Sequence, residues 1–302
     1  MQPDYLYDRR ASPLLPLTEG IFQFLHTSND RTRDIAARGL RPAALGQLCV
    51  PSGKLVVGDP FAGLTRRSNP YILVPPGRYP VWQTLADVSD EQIGGPVRAA
   101  YLSLVFQPQS LLRRWQWQQE RIDAGLSPAI PFHALRYLPF HSEYRDGPDD
   151  EVGPENAGFV ISSGTAAMVD AELFARYMPD DSPVAGQGWY DRLFEQGLPG
   201  SWFDKMDFEE HYRRGAANIP LPGAPMDHSL VLSQSGFGDH TYTVFGEFAF
   251  DYSTHTGEDA TALTGLDDEE FEDEREPALV ALHLDFRVIP FDPHRSPIPY
   301  NE

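Results

Sequence analysis

The stretch that most constrains the fold is Ser235 to Phe250, S-G-F-G-D-H-T-Y-T-V-F-G-E-F-A-F. Gly236 and Gly238 flank Phe237 and precede Asp239, a composition suited to a turn with left-handed backbone positions. After it, Tyr242, Val244, Phe248 and Phe250 share one parity, and Thr241, Thr243 and Glu247 share the other. That alternation predicts a strand with a core face and a wetter face. Leu230, Val231 and Leu232 precede the turn, so the two runs read as a β-hairpin. Val280, Leu282, Leu284, Phe286 and Val288 alternate with Ala281, His283, Asp285 and Arg287. This is the cleanest strand pattern in the chain, and it predicts a neighbour for the hairpin.

Strand signals start at Gly46. The run Gly53 to Gly58 is closed by Asp59-Pro60, and Tyr71 to Val74 is stopped by Pro75-Pro76-Gly77 before Arg78 to Trp82 resumes extended structure. Prolines at these spacings exclude a helix and predict edge strands or strand starts. Val97 to Phe106 is apolar on both parities after Arg98, which predicts a central strand. Leu111, Trp115 and Ile122 share one helical face, with Trp117 off it. Gly158 to Ile161 and Thr165 to Val169 read as strands joined at Ser162-Ser163-Gly164. Helical segments are expected at Ala171 to Met178, Trp189 to Gln196 and Phe203 to Arg214. The fold class that follows is α+β, a predominantly antiparallel β-sheet core with several helices between the N- and C-terminal strands. Residues 1–45, with a short helix at Asp34 to Leu40, read as an extension packed on a main domain of residues 46–302.

Charge restricts the partners. A net charge of −20 and a pI near 4.7 repel phosphate backbones and argue against nucleic acid. Within a polar insertion at 257–277, residues 267–276 carry eight acids and one arginine. Such a run is a solvated loop tip when alone. It becomes a docking surface for a basic protein if Asp267, Asp268, Glu269, Glu270, Glu272, Asp273 and Glu274 meet cations around Phe271 as apolar anchor. The single cysteine, Cys49, excludes an intramolecular disulfide and a multi-cysteine zinc site, and its L-C-V context suits a buried apolar role. There is no secretion signal pattern and no apolar run of about 20 residues, so a cytoplasmic protein without membrane contact is expected.

Four motifs occur in order: G-K-L-V-V-G-D-P (53–60), V-P-P-G-R-Y-P-V (74–81), S-G-F-G-D-H-T-Y (235–242) and L-D-F (284–286). Together they resemble the bacterial family called domain of unknown function 4241 (DUF4241), over roughly residues 46–290. Two departures stand out. The family turn has a glycine where this chain has His240, and an aspartate-glycine pair of the family reads Ser162-Ser163-Gly164-Thr165 here. The resemblance implies a fold and no chemistry.

The chain contains no G-x-S-x-G elbow, P-loop, H-E-x-x-H or dinucleotide-binding glycine pattern, and nothing in it implies a cofactor. The nine histidines lack metal-ligand spacing, so no zinc site is expected. The best catalytic constellation is Asp59, Asp239 and Asp285 with His240 beside them. It would serve a hydrolase-like enzyme, with or without a divalent metal. Turn chemistry is the favoured account of Asp59 before Pro60 and of Asp239 after Gly238, since nothing in the sequence makes these groups converge. The favoured expectation is a non-catalytic bacterial binding protein, such as an immunity protein that neutralises a basic toxin through its acidic surface.

Overall fold

The computed structural model describes residues 40–61, 64, 69–88, 97–111, 123–124, 133–142, 158–178, 201–207, 215–249 and 278–288. In chain order these form β1 (Leu40–Val50), β2 (Lys54–Gly58), β3 (Tyr71–Leu73), β4 (Gly77–Asp87), β5 (Val97–Val105), β6 (His133–Tyr137), β7 (Gly158–Ile161) and β8 (Thr165–Asp170). Helices α1 (Ala171–Tyr177) and α2 (Trp202–Asp207) come next, then β9 (Ala216–Pro220), β10 (Ser229–Gln234), β11 (His240–Ala249) and β12 (Ala278–Asp285). A helical turn at 108–111 begins the helix expected around Leu111. Residues 112–122, where that helix is expected to run, the segment Trp189 to Gln196, residues 208–214, the acidic insertion at 257–277 and residues 1–39 lie outside the described residues.

The strands build two antiparallel sheets. Sheet A has seven strands in the order β1-β4-β5-β12-β11-β6, with β7 also paired to β11, and sheet B has five in the order β3-β2-β8-β10-β9. The α+β class with a mainly antiparallel core is therefore correct. One face of sheet B (Leu55, Val57, Met168, Val231) shares a core with sheet A residues such as Leu102, Leu104, Leu282 and Leu284. The other face (Val56, Val169, Leu230, Leu232) packs on Leu173 and Phe174 of α1 and Trp202 and Met206 of α2. Alternation along β8 and β10 thus serves two apolar layers, which explains why these strands are buried on both parities.

The hairpin expected around Ser235 to Phe250 is not formed. β10 lies in sheet B between β8 and β9, whereas β11 lies in sheet A beside β12, β6 and β7. The turn between them is a corner that carries the chain from one sheet to the other. Sequence periodicity reports which residues share a face, and it does not report which strand is the partner. The same crossing occurs from β1 to β2, from β3 to β4, and from β7 to β8. Three of these four short connections carry a family motif, and the fourth is Ser162-Ser163-Gly164.

The expected wetter faces of β11 and β12 are also corrected, since Glu247 and His283 have no solvent exposure and Asp285 has 3%. Glu247 pairs with His283, and Asp285 accepts from the Arg287 amide, so polarity here does not mark a solvent face. The prolines mislead in one place. β3 is an edge strand, but β4, which contains Pro80, is interior. Pro80 pairs with Gln47 at the point where the β1 register shifts, next to Gly46 at φ 91°, so its missing N–H falls at an interruption of the ladder. β5 is central, as its double-sided apolar pattern predicts. Finally, β1 begins at Leu40, so residues 40–45 belong to sheet A and Leu40 is not helical.

Candidate functional site

Asp59 is 1% exposed and is fully engaged by its surroundings. Its Oδ1 accepts from the Phe61 amide (2.8 Å) and the Ser163 hydroxyl (2.7 Å). Its Oδ2 accepts from the Ser162 and Ser163 amides (both 2.8 Å) and from the Ser162 hydroxyl at 3.3 Å. The carboxylate therefore ties the end of β2 to the crossing between β7 and β8. Asp170 does the same at another junction. It caps α1 by accepting from the amides of Glu172 (3.0 Å) and Leu173 (2.9 Å), and it accepts from the amide and hydroxyl of Ser52 at 2.9 and 2.6 Å. Sequence alone does not pair Asp59 with Ser162 and Ser163, or Asp170 with Ser52, because only the fold brings residues more than a hundred positions apart into contact.

The motif residues interlock in the same way. Gly53 sits at φ 72°, its carbonyl accepts from the Val74 amide at 2.9 Å, and a Cβ there would lie 2.9 Å from the Val74 oxygen. Tyr79 folds its hydroxyl back onto the Pro75 carbonyl (2.8 Å) and packs edge-on against Phe106. Arg78 pairs with Asp227. Burial, the largest influence, raises the pKa of the half-buried Cys49 thiol against the opposing pull of Arg78, so the cysteine is held away from the thiolate form.

The turn at 235–239 is fastened to the end of β12. The Tyr242 hydroxyl contacts the carbonyls of Ser235 (2.8 Å) and Gly238 (2.6 Å), and the Ser235 hydroxyl donates to the Gly238 carbonyl at 2.9 Å. Gly236, at φ 51°, leaves no room for a side chain, since a Cβ would lie 2.7 Å from the Phe286 carbonyl and from Val288. Gly236→Ala is therefore expected to lower stability by about 2–3 kcal/mol through overpacking. A urea midpoint unchanged from the parent would show that the corner relaxes freely.

Of the four sequence candidates, the fold gathers Asp285 and His240 around Arg287. The Arg287 amide donates to Asp285 Oδ1 at 2.8 Å, and its Nη1 donates to His240 Nε2 at 3.0 Å. A guanidinium has no acceptor, so this imidazole carries its proton on Nδ1. Asp239 is exposed on the turn. Asp59 joins a different set of amide and hydroxyl donors. Among the described residues, no three His, Cys, Asp or Glu side chains are grouped to hold a metal ion.

Asp285 belongs to a larger polar set on the sheet A face turned away from sheet B. Register places Tyr101, Ser103, Thr243, Phe245, Glu247, His283 and Asp285 on that face, while Gln83, on the opposite face, donates to Ser233 of sheet B at 2.9 Å. His283 Nδ1 lies 2.8 Å from the Ser103 hydroxyl and its Nε2 lies 3.2 Å from Glu247 Oε2. Burial pushes the Asp285 carboxyl up to about 7, against the opposing influence of the Arg287 amide and guanidinium. Burial likewise raises the Tyr101 hydroxyl well above its ordinary range, with the Asp285 charge adding to the effect. Sequence reading missed Ser103 and Glu247. Glu247 lies on the polar parity of its strand, which predicts exposure, and Ser103 lies in a run that reads as apolar on both parities. The candidate binding residues Asp267, Asp268, Glu269, Glu270, Phe271, Glu272, Asp273 and Glu274 lie outside the described residues.

In this chain the motif residues build the corners at which the strands cross between the two sheets. Residues 48–253 match the family described as protein of unknown function (DUF4241). The match covers more than half of the chain, which belongs to that family. The L-D-F motif at 284–286 lies beyond the matched span. No curated protein and no solved structure matches the chain. Among the described residues, no helix is long and apolar enough to cross a membrane.

Proposed function

We propose that this is a non-catalytic bacterial protein that works in the cytoplasm by binding a basic protein partner through acidic surface. An immunity protein against a cationic toxin is the specific form of this reading. The observation that carries it is the net charge of −20, of which residues 267–276 supply a net −7. The geometry around Asp59 supports it as well. A carboxylate that accepts two amide bonds and a hydroxyl contact on Oδ2, and one of each on Oδ1, is committed to structure and has little capacity left for proton transfer. Charge of this kind speeds association and makes it sensitive to salt.

The test is capture from the source cell's lysate by the immobilised full chain at low and high salt, beside a variant lacking residues 267–276. A basic protein held at low salt, released at high salt and not held by the variant is the expected result. Its affinity would then be measured with purified components. Retention that is equal for the variant would overturn the reading.

A hydrolase-like alternative rests on one observation, the buried Asp285 carboxyl with a pKa of about 7 beside Tyr101. A group titrating there is matched to general acid/base work. That alternative requires an activity whose pH profile shifts in Asp285→Asn.

A further inference from the structure

Four side chains carry the chemistry at the surface of the 235–240 corner. Arg98, Phe237, His240 and Arg287 come from β5, the turn, the start of β11 and the residue following Phe286. The Arg98 guanidinium lies 5.7 Å over the Phe237 ring centroid, and its Nη1 reaches the Gly236 carbonyl at 3.4 Å. Phe237 is 40% exposed, so an arginine and an aromatic face meet at the surface of an otherwise acidic protein. Arg287 and His240 are exposed and linked at 3.0 Å, and Phe286 and Val288 on either side of Arg287 pack on Gly236, whose carbonyl Arg98 reaches.

Arg287 has a second distinction. It occupies the left-handed region at φ 53°, where all the other such residues among those described are glycines. Glycine would adopt this conformation without strain. The strained backbone is instead fixed by the bond from the Arg287 amide to the buried Asp285 carboxyl. Strain kept in place by a buried partner, at a residue with an exposed functional side chain, points to a use for that side chain. The buried contacts of the corner do not depend on the Arg287 guanidinium, because Gly236 and Tyr242 already close the turn.

We infer that the corner formed by Arg98, Phe237, His240 and Arg287 is a binding site for a small oxyanion, a carboxylate or a phosphate group. The two guanidiniums supply planar, charged donor forks that match such oxygens. The Phe237 face offers a platform for the apolar part of the molecule that bears the anion. Asp239 on the same turn opposes an anion, so the cationic groups must outweigh it.

The test uses the full chain and amide NMR signals of residues 236–240 and 287, titrated with inorganic phosphate, succinate or chloride at matched ionic strength. Saturable shifts with phosphate, succinate or both, but not with chloride, are expected, and the anion that saturates identifies the chemistry. Arg287→Gly is expected to weaken binding by about tenfold or more while its urea midpoint stays the same or rises. Arg98→Gln is expected to weaken binding without changing the fold. Shifts that fail to saturate with either oxyanion would overturn the inference, as would unchanged affinity in Arg287→Gly. Deleting residues 267–276 tests the acidic-surface reading separately and is expected to leave oxyanion binding intact.

Discussion

Asp285→Asn is expected to stabilise the protein by about 4 kcal/mol at pH 8 and to leave its stability nearly unchanged below pH 4. The folded carboxyl has a pKa of about 7 against an ordinary value of 3.8, because it is buried at 3% exposure. A carboxyl whose folded pKa is raised binds its proton more tightly in the native state. Its contribution is fully present below the unfolded pKa and is lost as pH rises through the folded one. At about 1.4 kcal/mol per unit, the gap amounts to about 4 kcal/mol once both states are ionised. Asparagine keeps an oxygen to accept from the Arg287 amide and carries no charge into the sheet. The variant's advantage should grow between pH 4 and 7 and level off above, as read from urea unfolding at several pH values. An advantage that does not vary with pH would mean that Asp285 is ionised at no cost in the native state. The trend is the reverse of ordinary acid denaturation, in which protonation of paired carboxylates destabilises the fold.

Much of this architecture was legible in the sequence. β5 is recognisable as central because Ala99, Ala100, Tyr101, Leu102, Leu104 and Val105 are apolar on both parities, and β12 because of its regular alternation. The edge position of β3 follows from the prolines after it. What was not legible has one physical source, the difference between local pattern and long-range pairing. Gly236 and Gly238 announce a turn with left-handed residues, which a hairpin and an inter-sheet corner both need. The choice is made by Phe286 and Val288, which pack against Gly236 from fifty residues away. The polar parity of β11 and β12 misleads for a similar reason. Glu247 and His283 are apposed only once β11 and β12 pair, and Ser103 joins them from β5. A strand read alone shows polar residues, whereas the sheet links Ser103, His283 and Glu247 across three strands. Of the sequence candidates, Asp285 and His240 meet at Arg287, which alternation had placed merely as a strand residue.

Asp59→Ala is expected to cost about 3–5 kcal/mol, a large part of the stability of an ordinary domain. The loss would remove the acceptor for the amides of Phe61, Ser162 and Ser163, and all three would be left without it at a crossing where Asp59 is buried. Asp59→Asn separates the structural role from a catalytic one. Both carboxylate oxygens accept amide bonds, so an asparagine in either orientation turns its NH2 donors toward an N–H. Asparagine at 59 should therefore destabilise by about 2 kcal/mol or more, whereas asparagine at 285 should stabilise. The opposite signs arise from surroundings alone. Asp59 is encircled by amide and hydroxyl donors, whereas burial opposes the charge of Asp285, partly relieved by Arg287. Urea unfolding of the two variants side by side at pH 8 decides the matter. An Asp59→Asn protein as stable as the parent would show that the amide bonds to this carboxylate do not hold the crossing together.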